Sequence, residues 1–273
     1  MTRGTTMAGQ LAAMGFADTA RAQRLLTDDL LLDAADGDAG LLEALAGAAD
    51  PDLALASLAR LAGNGALRAA LRSDRGLRER LVSVLGTSAA LGDHLARHPE
   101  DWRTLGGPGA LRRPAAGDLR AAMLTAVGAL PADPEPVADP ERTGGRDPAT
   151  ALRAAYRRCL LHLAARDLTG ADALDDVMAE LADLATAALE AALAIARSGL
   201  QAGAAPCRLA VIAMGKCGAR ELNYASDVDV IFVAEAAGAA GAAGEAAALR
   251  TATQLASGMI RACSQSTPEG MLF

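Results

Sequence analysis

The stretch Met214–Val233, MGKCGARELNYASDVDVIFV, concentrates the residue types best able to do chemistry. Asp227 and Asp229 stand two apart within the apolar, β-branched run that ends VDVIFV, and side chains two apart on a strand project to the same side. Two hard carboxylates facing one point suit Mg2+. They also need a cation, because neighbouring like charges otherwise drive one of the pair to protonate. An Asp-x-Asp alone reads more readily as a turn cap beside an exposed strand residue, so the flanking sequence decides. Gly215 and Gly218 bracket Lys216, which lets backbone N–H groups approach a phosphate while the ammonium adds charge. A P-loop also places Gly-Lys after a strand, but GxxxxGK[ST] requires glycine where Ala210 stands and Ser or Thr where Cys217 stands.

These residues require two strands and a turn to hold them. Cys207–Met214, CRLAVIAM, is a short apolar run closed by glycine and predicts a buried strand, and Val228–Val233 predicts a second that carries the carboxylates. A short helical segment joins them. Residues 236–248 are almost pure Ala and Gly and predict a flexible loop, Thr251–Cys263 a helix, and Gly270–Phe273 the start of a third strand.

Upstream the pattern is helical. From about Leu11 to Leu130 apolar residues recur three and four apart, with breaks at Gly37–Gly40, Asp50-Pro51 and Gly63–Gly65, which predicts antiparallel helices of about 10 to 20 residues. Five prolines between Pro131 and Pro148 exclude a helix there and read as an exposed linker or long loop. Helical periodicity resumes from Ala149 to Leu168 and from Ala171 to Ile195, with Asp172, Asp175, Asp176, Glu180 and Asp183 forming a solvated face. Trp102 reads as a core anchor. His94 and His98 lie one helical turn apart with no third ligand beside them, and read as surface helix. The expected organisation is a helical domain over 1–130, a linker over 131–148, a helical segment over 149–205 and a partial α/β domain over 206–273. The fold class is therefore α+β.

Composition narrows the function classes. Hydrophobic residues make up 52% of the 273-residue chain and aromatics only 2%, so the cores must be built from Leu, Ala, Val and Met in closely packed helices. A net charge of −7 repels phosphodiester backbones and argues against general nucleic-acid binding. No apolar run is long enough for a membrane span and no signal-peptide pattern opens the chain, which points to the cytoplasm. Cys159, Cys207, Cys217 and Cys263 form no CxxC pair and are expected to be reduced, partly buried thiols.

The run Gly215-Lys216-Cys217-Gly218, then Glu221-Leu222-Asn223, then Ser226-Asp227-Val228-Asp229-Val230-Ile231-Phe232 closely resembles the signature of the glutamine synthetase adenylyltransferase/adenylyl-removing family, within the DNA polymerase β-like nucleotidyltransferases. The resemblance implies Asp227 and Asp229 as Mg2+ ligands and catalytic residues. It implies Gly215, Lys216 and Gly218 as the phosphate-side turn, with Glu221, Asn223 and Ser226 bracing the site on the nucleotide side. Members carry two nucleotidyltransferase domains, each associated with helical bundles, and some 200 mostly helical residues before the motif match the first copy. That copy implies the adenylyl-removing activity, phosphorolysis of adenylyl-tyrosine on glutamine synthetase to give ADP, whereas the second attaches AMP from ATP. Glutamine synthetase is the implied partner, with PII signal protein and glutamine as regulators. The family's third carboxylate follows shortly after a segment resembling Glu269–Phe273, so the nucleotidyltransferase domain is expected to be incomplete. A competing reading is a helical module, catalytically incomplete, that binds glutamine synthetase or PII.

Overall fold

A computed structural model describes residues 6–27, 39–238 and 241–273. The fold is mainly helical α+β, in two compact units: residues 1–112 with 161–172, and residues 113–160 with 173–273.

Among the described residues the first unit contains seven helices: α1 (Met7–Ala13), α2 (Thr19–Thr27), α3 (Ala39–Ala46), α4 (Pro51–Ala59), α5 (Gly65–Ser73), α6 (Arg75–Leu85) and α7 (Ala89–Arg97), followed by a 3-10 turn at Asp101–Leu105. All but α6 are shorter than the periodicity predicts, because short polar residues stop and restart the chain. The side chains of Asp50, Asn64, Asp74 and Ser88 each accept the N–H three residues on, and each begins a new helix. The predicted breaks at Asp50-Pro51 and Gly63–Gly65 fall between helices. Of Gly37–Gly40, residues 37 and 38 lie outside the described ones, and Gly40 is already helical. Leu41, Leu45, Leu55, Leu58, Leu81, Leu85 and Leu95 form the core, and Trp102 is buried with them as expected.

His94 corrects an expectation. It is fully buried rather than on the surface, and its Nε2 lies 2.8 Å from Asp101 Oδ2. A carboxylate seven residues away satisfies one ring nitrogen and makes burial tolerable.

The same unit holds a second buried polar group, Arg166, whose Nε donates to Asp172 Oδ2 (2.8 Å) and whose Nη1 donates to His162 Nδ1 (2.9 Å). His162 Nε2–H in turn donates to Ala110 O (3.0 Å), which fixes the neutral ring with Nδ1 as acceptor. Asp172 is thus a partner of a buried cation, not part of a solvated face.

The second unit is built on two long helices, α9 (Pro148–Leu168), whose last turns belong to the first unit, and α10 (Leu174–Ser198). The α10 face that is buried is rich in alanine, including Ala185, Ala188, Ala191, Ala192 and Ala194, which allows close approach of its neighbours. Against it pack α8 (Ala116–Ala126) and α12 (Ala242–Ser264), and a Cβ at Gly258 of α12 would come within 2.9 Å of Ala196 Cβ. Helix α12 starts well before Thr251. Alanine is the strongest helix former, so the Ala-rich stretch from Ala242 is helix rather than flexible loop. The proline-bearing stretch is irregular and is tied down by Ala138 N–H to Ala194 O (3.0 Å) and by Arg197 Nη1 to Pro136 O (3.1 Å).

Strands β1 (Cys207–Ala213) and β2 (Val230–Ala236) pair antiparallel, with Ala213 opposite Val230 and Val211 opposite Phe232. Val211, Val230 and Phe232 turn toward the α-helical core, while Ile212, Ile231 and Val233 face outward. No third strand forms at Gly270–Phe273. The chain entering it is held by arginines of α9: Arg153 Nε donates to Gly270 O and Arg157 Nε to the preceding Glu269 O, both at 2.8 Å. Arg153 is fully buried and also donates to the carbonyls of Ala149, Ala262 and Cys263. Burial pushes its guanidinium pKa down from the ordinary value. Phe273 then meets Tyr156 edge to face at 5.7 Å.

Burial, and then the neighbouring Arg166, hold His162 below its ordinary pKa of 6.5. The unfolded chain therefore takes up this proton first, and the stability contributed by the neutral ring is present above pH 6.5 and is lost as pH falls below it toward the lowered folded value. Thermal melts at pH 7.5 and 5.5 should show a larger drop in Tm for the wild type than for His162→Gln. An equal drop would mean that burial does not lower the His162 pKa in the fold.

Candidate functional site

The site is assembled where β1 ends. After Ala213 the chain turns sharply into the one-turn helix α11 (Gly215–Ala219), and Gly215 makes this turn at φ +52°, a left-handed conformation that favours glycine. Gly218 is required for a different reason: a Cβ there would sit 2.4 Å from Ala213 O, a backbone atom that cannot yield. Cys217 is buried and plugs α11 against α10, where Thr186 reaches its thiol. Gly215, Lys216 and Gly218 are left exposed.

Asp227 and Asp229 lie just before β2, not within it. The ladder ends at the Ala213–Val230 pair because Gly215 turns away, and only Met214 N–H to Asp229 O (2.9 Å) extends it. The extended alternation nonetheless persists: Ser226, Val228 and Val230 are half-buried, while Asp227 and Asp229 are exposed. The two carboxylates therefore share the outward side, as the spacing predicts. A Cβ on Gly215 would stand 3.5 Å from Asp229 Oδ2, so the bare glycine borders this carboxylate.

Asn223, Glu221 and Ser226, expected to brace the site, bond to the backbone as well as to side chains. Asn223 Oδ1 accepts from Lys216 Nζ (3.1 Å) and so ties the ammonium to the returning chain. Glu221 is exposed, and its backbone N–H donates to Lys216 O (2.8 Å). Ser226 Oγ–H donates to the backbone carbonyl of Asp227 (3.1 Å), not to its carboxylate. Leu222, between them, is buried and anchors the loop.

Sequence reasoning missed the attachment of this loop to α10. Arg220 Nη1 and Nη2 donate to the two oxygens of Asp183, the second at 2.9 Å, across 37 residues of sequence. Asp183 reads as one more acid on a solvated helix face, and nothing in its local spacing marks a partner so far away. Glu180 is likewise no surface acid: it is buried, with Arg113 Nε 3.4 Å from its Oε2, and Arg113 also pairs with Asp176.

An exposed pair of acids, a lysine held by an asparagine, and two glycines with separate steric reasons make up a compact polar site beside a two-stranded sheet. The family model for glutamate-ammonia ligase adenylyltransferase matches residues 78–273, and the chain belongs to that family. It is 47% identical to the bifunctional glutamine synthetase adenylyltransferase/adenylyl-removing enzymes of Streptomyces avermitilis and Streptomyces coelicolor over 97% of its length. It is 45% identical, over 83% of its length, to the enzyme of the same description in Mycobacterium avium. The chain spans 25% of the length of the Streptomyces relatives. Among the described residues no helix is long and apolar enough to cross a membrane.

Gly218→Ala should cost roughly 2 kcal/mol by urea denaturation, because the clash is with backbone. Gly215→Ala, which meets only ordinary contact but must hold a positive φ, should cost about 1 kcal/mol. A Gly218→Ala variant as stable as the wild type would show that the turn is not held as described.

Proposed function

We propose that residues 206–273 form part of a nucleotidyltransferase site that removes AMP from adenylylated tyrosine on glutamine synthetase, or adds it, and that the preceding helices, 1–130 and 149–205 with the linker 131–148, support it. The observation that carries this reading is the outward pairing of Asp227 and Asp229 beside the Gly215–Gly218 turn, within a chain belonging to the adenylyltransferase family. The relatives' description as adenylyltransferase and adenylyl-removing enzymes supports glutamine synthetase as the protein acted upon.

The donor set fits Mg2+. Two exposed carboxylates offer hard oxygen ligands at an accessible edge, and Mg2+ is held by one or two carboxylates with substrate phosphates filling other positions. When bound, the ion supplies neutralising charge to the phosphoryl oxygens. Asp227 and Asp229 would hold it, and the bare edge of Gly215 leaves room at the Asp229 carboxylate. Lys216, steadied by Asn223, offers its ammonium to a phosphate of ATP or ADP. In the removing direction an oxygen of inorganic phosphate attacks the phosphorus of the AMP group, and the bond from phosphorus to the tyrosyl oxygen breaks. ADP and a tyrosine phenol result, the phenol keeping the electron pair and taking a proton. The chain's contribution is alignment and electrostatics.

The paired change Asp227→Asn, Asp229→Asn should abolish Mg2+-dependent binding of ATP or ADP by calorimetry while leaving the circular dichroism spectrum intact, since both side chains are exposed. Equal Mg2+-dependent affinity in the variant and the wild type would refute the assignment.

A further inference from the structure

Arg220 is the only non-glycine residue with positive φ among the described residues, at φ 61° and ψ 35°. A left-handed arginine is strained, because its Cβ crowds the following carbonyl, and glycine would relieve that strain. Its side chain is also committed: both terminal nitrogens fork onto the two oxygens of Asp183, a residue largely covered on α10. Bidentate guanidinium–carboxylate pairs fix orientation as well as distance. Strain retained together with a directional attachment suggests that orientation is what the residue provides.

Its place in the loop shows what is oriented. Arg220 closes α11, with its N–H on Cys217 O (3.2 Å), and the next residue's N–H returns to Lys216 O (2.8 Å). From there the chain runs through Asn223, which holds Lys216, to Ser226, Asp227 and Asp229. Arg220 therefore sits at the reversal between the turn that carries Lys216 and the strand entry that carries the carboxylates. Cys217, buried against the same helix near Thr186, is the second attachment, three residues along α10 from Asp183.

We infer that Arg220 and Asp183 are positioning residues: their fork locks the reversal on α10 and sets Lys216 against Asp227 and Asp229. The inference rests on the nucleotide site proposed above. A turn role alone would be served as well or better by glycine, so Arg220→Gly separates the two roles. In the 273-residue chain Arg220→Gly relieves the backbone strain but leaves Asp183 without its fork, so it should melt within a few degrees of the wild type, yet, measured well below that temperature, weaken Mg2+-dependent ATP binding by about tenfold, the scale typical of residues that support metal ligands. Asp183→Asn should weaken it similarly. Arg220→Lys, which keeps the charge but not the fork, should also weaken it, and amide hydrogen exchange at 215–219 should quicken in all three. Wild-type affinity in Arg220→Gly would overturn the inference. Unchanged affinity in the Asp227→Asn, Asp229→Asn control would instead refute the nucleotide site itself, and the inference with it.

Discussion

The close approach permitted by the alanine face of α10 is the constraint on which the second unit depends. Ala185, Ala188, Ala191, Ala192 and Ala194 are all buried on that helix, and α8 and α12 pack directly on it. With aromatics at 2% of the chain, this core gains its stability from many small, well-fitted contacts rather than a few large side chains. Such packing leaves little tolerance for displacement, and the sheet and α11 inherit their positions from it. The carboxylate pair is exposed and has no packing of its own, so its geometry is only as definite as the backbone beneath it.

That backbone is fixed by unlike devices at successive points. Met214 N–H to Asp229 O joins the two sides of the site at the end of the ladder. Gly218 lets α11 lie against Ala213 O, Cys217 and Leu222 bury apolar bulk on either side of the loop, and Arg220 forks onto Asp183. Each acts on main chain or on buried groups, which leaves Lys216 and the two carboxylates facing water. The segment after α12 is held by a comparable logic, since Arg153 and Arg157 take the carbonyls of Gly270 and Glu269.

Much of this was legible in the residues. The apolar runs Cys207–Met214 and Val228–Val233 show as strands because their composition suits a pleated surface, although the strands observed are Cys207–Ala213 and Val230–Ala236, and the Asp227–Asp229 alternation shows because strand periodicity is local. What was not legible depends on distance in sequence or on competition between local preferences. Asp183 looks solvated until Arg220 is seen beside it, and His94 looks like a surface residue until Asp101 satisfies it. The start of α12 at Ala242 was hidden because glycines among the alanines argue for a loop, while the alanine propensity and packing on α10 decide for helix. The carboxylates fall outside β2 because the ladder length is set by Gly215, a turn requirement rather than a strand one.

The central claim, that Asp227 and Asp229 face one cation beside the Gly215–Gly218 turn, is tested most directly by adding Mn2+ to the isotopically labelled chain and following paramagnetic broadening of its amide resonances. The account predicts broadening centred on residues 214–218 and 226–230, reversed by excess Mg2+. Broadening centred instead on the acids of α10 around Asp175 and Asp176, or none at concentrations that saturate ordinary carboxylate sites, would contradict it.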